Sequence, residues 1–413
     1  MKVFLHRINV LLVLFAMLCV SRSAVAGARL SSSAKFSVLT CSPGADLYSL
    51  FGHSAFRLQD TLSGQPIDVV FNYGTFNAFD DGFYVKFARG KLDYMLQAEY
   101  YEYFIASYEE EGRAVWEQEL LLSPLQKQRL FDLLQANVKQ PNCVYRYDFF
   151  YDNCSSRIRD MIIRACAVEP TDVLGFRYVA LDSLVRINTV EFASPRSSGT
   201  TYRQAIQTYL NYQPWSDFGI DLALGQPCDR VIQEYGFMFL PDSLMRELEF
   251  ARLNGNALCA PKVLLLPLKL ELHANTWMSP IVIMVLWMLI HMAIAVRYRK
   301  RANVTARADK FLLALTGVLS LLILFLWFFT DHSATANNWN LLWASPLNLV
   351  VLFFYRRKRL VHACAIINLI ACALVLTGVF WLPQALHPAT LLIAVMLIIT
   401  NISLYRNARI IEH

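Results

Sequence analysis

The sequence predicts an α+β exterior domain followed by an all-α bundle of about five transmembrane helices. Its 413 residues are 56% hydrophobic with a mean hydropathy of +0.36, too apolar for an ordinary soluble chain, and the excess sits at the two ends. Between those ends, period-two alternation gives way to helix-start signals. Lys and Arg crowd into alternate connections between the C-terminal apolar runs, as they do in multi-pass membrane proteins.

Taken in order, the chain begins with a targeting segment. Lys2 and Arg7 precede the apolar run Val10 to Val20, and Ala24-Val25-Ala26 offers the small residues a signal peptidase accepts. Residues 1–26 therefore read as a signal peptide. Leu18 stands where a small residue would have to precede a lipid-modified Cys19, which argues against lipidation there. The exported remainder, 27–275, is long enough to bury its own core.

Its first part reads as sheet. Ala34 to Leu39 and His53 to Leu58 alternate, and Ile67 to Tyr73 is a β-branched and aromatic run reached through Leu62-Ser63-Gly64-Gln65, which suits a hairpin. Phe83 to Leu96 is expected to add a further hairpin around Arg89-Gly90. Helices follow. Ser123-Pro124 is an N-cap and first-turn pair opening Leu125 to Val138, Asp152 or Asn153 caps a segment from Cys154 to about Cys166, and Asp242 or Ser243 starts a helix through Leu253. Ser194 to Thr201 reads as a loop.

The C-terminal part, 276–413, offers five apolar stretches near 279–296, 311–329, 341–355, 361–381 and 389–405, most of them close to the ~20 residues that cross a bilayer. The third is the shortest and contains Pro346. Basic residues from Arg297 to Lys310, from Arg356 to Arg359, and at Arg406 and Arg409 alternate with connections lacking Lys and Arg, 330–340 and 382–388. That alternation places 27–275 outside and the C-terminus in the cytoplasm. The net charge of +6 is thus a topology signal, and no basic stripe with interleaved aromatics argues for nucleic acid.

Six cysteines fall in the exterior domain, where disulfides persist: Cys41, Cys143, Cys154, Cys166, Cys228 and Cys259. A Cys228–Cys259 bridge and one joining two of Cys41, Cys143 and Cys166 fit that count, although spacing does not assign connectivity. Cys154 is set apart by its position at the expected start of a helix, where the dipole and unpaired amides favour the thiolate. The bland alternative is that it forms half of a disulfide. His53, at the head of an alternating run, is the only histidine of the exterior domain outside the signal segment and the membrane-flanking His273. Together they are the candidate nucleophile and general base. The hairpin places Asn72, or else the Tyr73 hydroxyl, near the histidine as its orienting partner, with Asp68 too far along. The Cys154 amide and the Asn153 side chain are candidate oxyanion donors.

Gly52-His53-Ser54-Ala55-Phe56-Arg57 followed far downstream by Asp152-Asn153-Cys154-Ser155 resembles the circularly permuted papain-like (NlpC-type) hydrolases and acyltransferases related to lecithin:retinol acyltransferase. The whole layout, with Asp331-His332 and Asn340-Leu341-Leu342-Trp343, is similar to the Lnb-type lipoprotein N-acyltransferase family. That resemblance implies a periplasmic papain-like thiol domain on the bacterial inner membrane. It would pass a fatty acyl chain from phospholipid, through a Cys154 thioester, to the N-terminal amine of a lipoprotein, with no cofactor and with His53 as base. A membrane-anchored cysteine peptidase or cell-wall amidase would share these residues, and a non-catalytic envelope scaffold would not need them.

Several polar residues are candidate substrate contacts. Arg157 follows the cysteine, and Asp331, His332 and Asn340 lie in an exterior loop at headgroup depth, where an ordinary solvated loop is the competing reading. Asp331 and His332 alone do not make a metal site. Tyrosines and phenylalanines from Tyr94 to Tyr108 and from Tyr145 to Tyr151 suit either a core or an acyl-chain groove.

Overall fold

The computed structural model describes residues 28–62, 65–76, 85–86, 89–91, 93–167, 190–192, 199–274, 276–297 and 302–409. The expected signal peptide and most of the expected 194–201 loop lie outside them. Seven strands, β1 (Lys35–Cys41), β2 (His53–Leu62), β3 (Gln65–Thr75), β4 (Asp93–Tyr100), β5 (Val115–Glu119), β6 (Val144–Arg146) and β7 (Val263–Leu266), form one antiparallel sheet in the order β7-β5-β1-β2-β3-β4-β6.

Alternation sorts the strand residues between two covered faces. Phe36, Val38, Phe56, Leu58, Phe71 and Tyr73 pack on one side with Leu130, Phe131 and Leu134 of α2 (Pro124–Val138) and Ile158, Met161 and Ile162 of α3 (Cys154–Cys166). Leu39, Cys41, Ala55 and Val70 meet α1 (Tyr101–Glu110) through Phe104 on the other side. Each fully buried large apolar side chain contributes roughly 1.5–3 kcal/mol. The Ser123–Gln126 capping box starts α2, as the Ser-Pro pair predicts.

Two local expectations need correction. Among the described residues of Phe83 to Leu96 there is no hairpin around Arg89-Gly90: those two make a turn, and β4 starts at Asp93 and pairs with β3. The helix expected from Asp242 or Ser243 to Leu253 is α6, Pro241–Phe250, which follows α4 (Tyr202–Leu210) and α5 (Pro214–Ala223). Pro241 sets its first turn. Arg252–Leu253 instead pairs with Val190–Glu191 in a small three-stranded sheet.

Among the described residues, four helices are long and apolar enough to cross a membrane: α7 (Pro280–Arg297), α8 (Ala302–Phe328), α10 (Lys358–Thr377) and α11 (Pro388–Arg409). The expected fifth span, 341–355, is broken. A 3₁₀ turn at Trp339–Leu342 is followed by α9, only Leu347–Phe353, with Pro346 at its N-cap. Seven residues rise about 10 Å, far short of the ~30 Å hydrocarbon core. Buried polar residues stabilise the break: Asn348 Nδ2 donates to Thr316 Oγ1 at 2.9 Å and Asn368 Nδ2 to Asn348 Oδ1 at 2.9 Å.

The two domains are clamped together. Phe218 of α5 packs in the apolar core of the helix bundle. Arg203, fully buried, pairs with Asp221 at 2.6 Å and Asp229 at 3.0 Å, and the Ala385 amide donates to Asp229 at 3.1 Å. Asn338 donates to the Leu222 and Ala223 carbonyls, and Gln384 to that of Leu224.

All eight described cysteines are free, so neither expected disulfide forms among them. Cys228 and Cys259 belong to separate apolar clusters, which keeps that pair apart.

Candidate active site

Gly52 sets the approach to His53. Its φ of +78° lies in the left-handed region, and a Cβ there would stand 2.7 Å from the Cys41 carbonyl oxygen. Only glycine passes this point without strain. His53 then opens β2 beside Cys41 of β1, and Cys154 is the first residue of α3, whose first turn meets the same end of β2. Ser54 and Ser155 lock that junction through hydroxyls 3.0 Å apart, both buried.

The structure sets the His53 and Cys154 side chains beside each other, each being the largest influence opposing burial on the other's protonation. Burial works against a thiolate at Cys154, but the His53 charge, the His53 hydrogen bond, the Ser54 amide and the Ser155 hydroxyl outweigh it and hold the thiol below its ordinary value. Burial likewise opposes charge on His53, yet Cys154 and the Asn72 hydrogen bond raise its affinity for a proton. Both shifts favour a thiolate–imidazolium pair.

Asn72 reaches His53 across the hairpin, Oδ1 to Nε2 at 2.6 Å. With Nε2 donating there, Nδ1 is left to face the sulfur. Asn72 Nδ2 in turn donates to Glu99 Oε1 at 2.9 Å, which fixes the orientation of the amide. Glu99 carries no sequence signal for this role, because it depends on β4 lying beside β3. The Tyr73 hydroxyl accepts from Asn137 instead, and Asp68 is bound to Arg57 at 2.6 Å.

Other expected contacts are engaged elsewhere. Asn153 is the N-cap of α3: Oδ1 accepts from the Ser156 amide, and Nδ2 donates to the Phe149 and Phe239 carbonyls at 2.8 Å each. Its donors are spent on backbone, so it is not an oxyanion donor. The Cys154 amide, at the first helical position, has no intrahelical acceptor. Arg157 is held by Asp152 at 2.6 Å and lies 3.5 Å from the Tyr145 ring centroid, which makes it a brace within the site. Asn340 is buried between Asp221 and Trp343, to whose backbone carbonyl and indole it is bonded, and so belongs to the clamp. Asp331 pairs with Arg146 at 3.4 Å, and the His332 ring lies against Gly90. These two sit at the junction of the domains, on the side of β6.

The aromatic runs divide. Phe149 and Phe150 pack with Phe239 and Tyr202 as core, whereas Tyr94 stacks on Tyr147 at 4.3 Å between ring centroids, close to the sulfur.

An antiparallel-sheet domain carrying a thiol–imidazole–amide chain, clamped onto a bundle of membrane-length helices, defines a membrane protein with a large extramembrane domain. The model of the Lnb N-terminal periplasmic domain matches residues 28–182, and that of the Lnb transmembrane domain matches 272–409. The chain belongs to the Lnb family, and the sheet-bearing domain is its periplasmic domain. Comparison with curated proteins and with solved structures gives no match.

Proposed function

We propose that the chain is a cysteine-dependent acyltransferase of the bacterial inner membrane, moving a fatty acyl chain from phospholipid to the N-terminal amine of a lipoprotein. The carrying observation is the Cys154–His53 contact backed by Asn72 at 2.6 Å. The order of the pair along the chain, histidine on a strand and cysteine downstream at a helix start, supports a circularly permuted papain-like arrangement. Family membership and the clamp to the membrane bundle support lipid substrates over soluble ones.

In the first half-reaction the Cys154 thiolate attacks an ester carbonyl carbon. A C–S bond forms and the carbonyl electron pair moves onto oxygen; on collapse the C–O bond breaks and the leaving alkoxide takes the proton from His53, releasing lysophospholipid. In the second half, neutral His53 accepts the proton of the incoming amine as its nitrogen attacks the thioester. Collapse breaks the C–S bond and restores the thiolate–imidazolium pair. Holding the thiol close to the bilayer raises the effective concentration of both lipids and limits competition by water.

The test incubates the full-length protein with phosphatidylethanolamine vesicles and measures the intact mass. A hydroxylamine-labile acyl mass on Cys154, discharged by a diacylglyceryl peptide that gains the same mass, is the expected result. An acyl-free Cys154 in a preparation that cleaves peptides or cell-wall stems would instead establish the hydrolase.

A further inference from the structure

The thiolate mechanism needs two donors for the carbonyl oxygen, and the structure commits Asn153 elsewhere. We propose that the Tyr145 hydroxyl is the second oxyanion donor, facing the Cys154 amide across the space left by Gly74. This assignment deepens the acyl-transfer reading and rests on it.

Three observations converge on that hydroxyl. Tyr145 is only 7% exposed, and its Oη is buried without a hydrogen-bond partner among the described residues. A buried hydroxyl left unpaired costs about 1–3 kcal/mol, a cost that a functional site can carry where a merely structural residue would be replaced by phenylalanine. Second, Gly74 lies between this hydroxyl and the nucleophile: a Cβ on it would stand 3.8 Å from Tyr145 Oη and 3.9 Å from Cys154 Cβ, with no other atom of the described residues outside its chain neighbours within 4 Å. Gly74 sits where the β3–β4 register shifts, at a φ of +90°, so the strand bulges at this point. Third, the ring is braced. Arg157, fixed to Asp152 by contacts of 2.6 and 2.7 Å, lies over its face at 3.5 Å. A guanidinium on a phenol face draws electron density from the ring and strengthens the O–H as a donor.

The hydroxyl keeps its proton throughout. Burial, followed by the nearby Cys154 charge, drives its pKa upward, so it donates a hydrogen bond to the developing alkoxide and does not transfer a proton. The negative charge formed when the carbonyl electron pair moves to oxygen is thereby shared between the Cys154 amide and Tyr145.

The test uses the full-length protein in nanodiscs with p-nitrophenyl butyrate, whose acyl carbon bonds to sulfur as p-nitrophenolate leaves. The burst of p-nitrophenolate, referenced to Cys154→Ser, reports acylation whatever the natural acyl donor is. Tyr145→Phe removes one oxygen and keeps the ring on Arg157. It should lower the burst rate by about 10²–10³-fold. The rate of Cys154 alkylation by iodoacetamide, a displacement with no oxyanion, should stay at the wild-type value, and the melting temperature should not fall. A wild-type burst rate in Tyr145→Phe overturns the assignment, and so does a parallel loss of alkylation, which marks a structural role. No burst from the wild-type protein overturns it together with the thiol mechanism. An intact Tyr145 effect on this ester with no acyl adduct from phospholipid leaves the oxyanion donor standing and removes the lipid donor.

Discussion

Asn72 Oδ1 lies 2.6 Å from His53 Nε2, the shortest hydrogen bond made by either side chain. It is a bond between neighbouring strands, so the tautomer of the imidazole is set by strand register. Glu99 makes the arrangement one-directional by accepting from the other end of the same amide. Asn72→Ala should lower the rate of acyl transfer by about 10²-fold, the size expected when a reacting group is misplaced by an ångström. Asn72→Asp keeps the acceptor and should recover part of the loss. Steady-state rates of the two variants check this, and equal activity would remove Asn72 from the mechanism.

The opposite shifts at Cys154 and His53 give a pH signature. The thiol is held below its ordinary value of 9.0 and the imidazole above its ordinary 6.5, and both shifts move the population at neutral pH toward the reactive ion pair. Iodoacetamide should alkylate Cys154 at neutral pH ahead of the other described cysteines, several of which burial pushes up to about 12. His53→Ala removes the main influence opposing burial. Its alkylation profile should shift upward past the usual thiol range, and transfer activity should fall by about 10²–10⁴-fold.

Arg203 tests the clamp. Removing one partner of a buried ion pair strands the remaining charges, and the cost is about 3–5 kcal/mol. Arg203→Ala leaves Asp221 and Asp229 facing each other, so limited proteolysis should cut between α4 and α6 much faster than in the wild type. Unchanged protection would mean that apolar packing around Phe218 holds the domains by itself.

Asp217 makes the same junction sensitive to pH. Oδ1 is buried without a partner among the described residues, and Oδ2 lies 3.7 Å from His387 Nε2. Burial, then the charge of Asp221, raise its pKa to about 6 against the opposing pull of Arg203. The facing His387 is itself depressed by burial, with Asp221 opposing. Because the folded value exceeds the unfolded 3.8, the stabilisation is complete below pH 3.8 and is lost as pH rises through about 6. Hydrogen exchange in 214–226, corrected for intrinsic rates, should therefore speed up between pH 5 and 7. Asp217→Asn should flatten that dependence.

Much of the site was legible because its signals are local. Gly52-His53 heads an alternating strand, Asn-Cys marks a helix start, and a hairpin fixes which strand position returns to the histidine. Glu99 and Tyr145 were not legible in this way, since each acts from a strand whose neighbour only the assembled sheet decides. Asn153 misled for a related reason: the property that makes it a good N-cap, a side chain bonding to nearby backbone, consumes the donors an oxyanion would need. Asn340 illustrates the limit from the membrane side. A polar residue outside a span reads as solvated, yet here it is buried by a segment more than a hundred positions away, at Asp221. The fifth span failed at Pro346, which stands at the N-cap of a helix of only seven residues and so separates it from the turn at Trp339–Leu342, where hydropathy alone reads one continuous span.

The paired grip of 331–345 and 382–387 on one short helix has a mechanical consequence. A domain joined to a bundle by a single strand of chain swivels freely, whereas one held by two loops that bond the same short helix and its C-terminal turn resists that rotation. Any tilt of the bundle, forced by a thinner or thicker bilayer, must carry the sheet and its sulfur through the same angle.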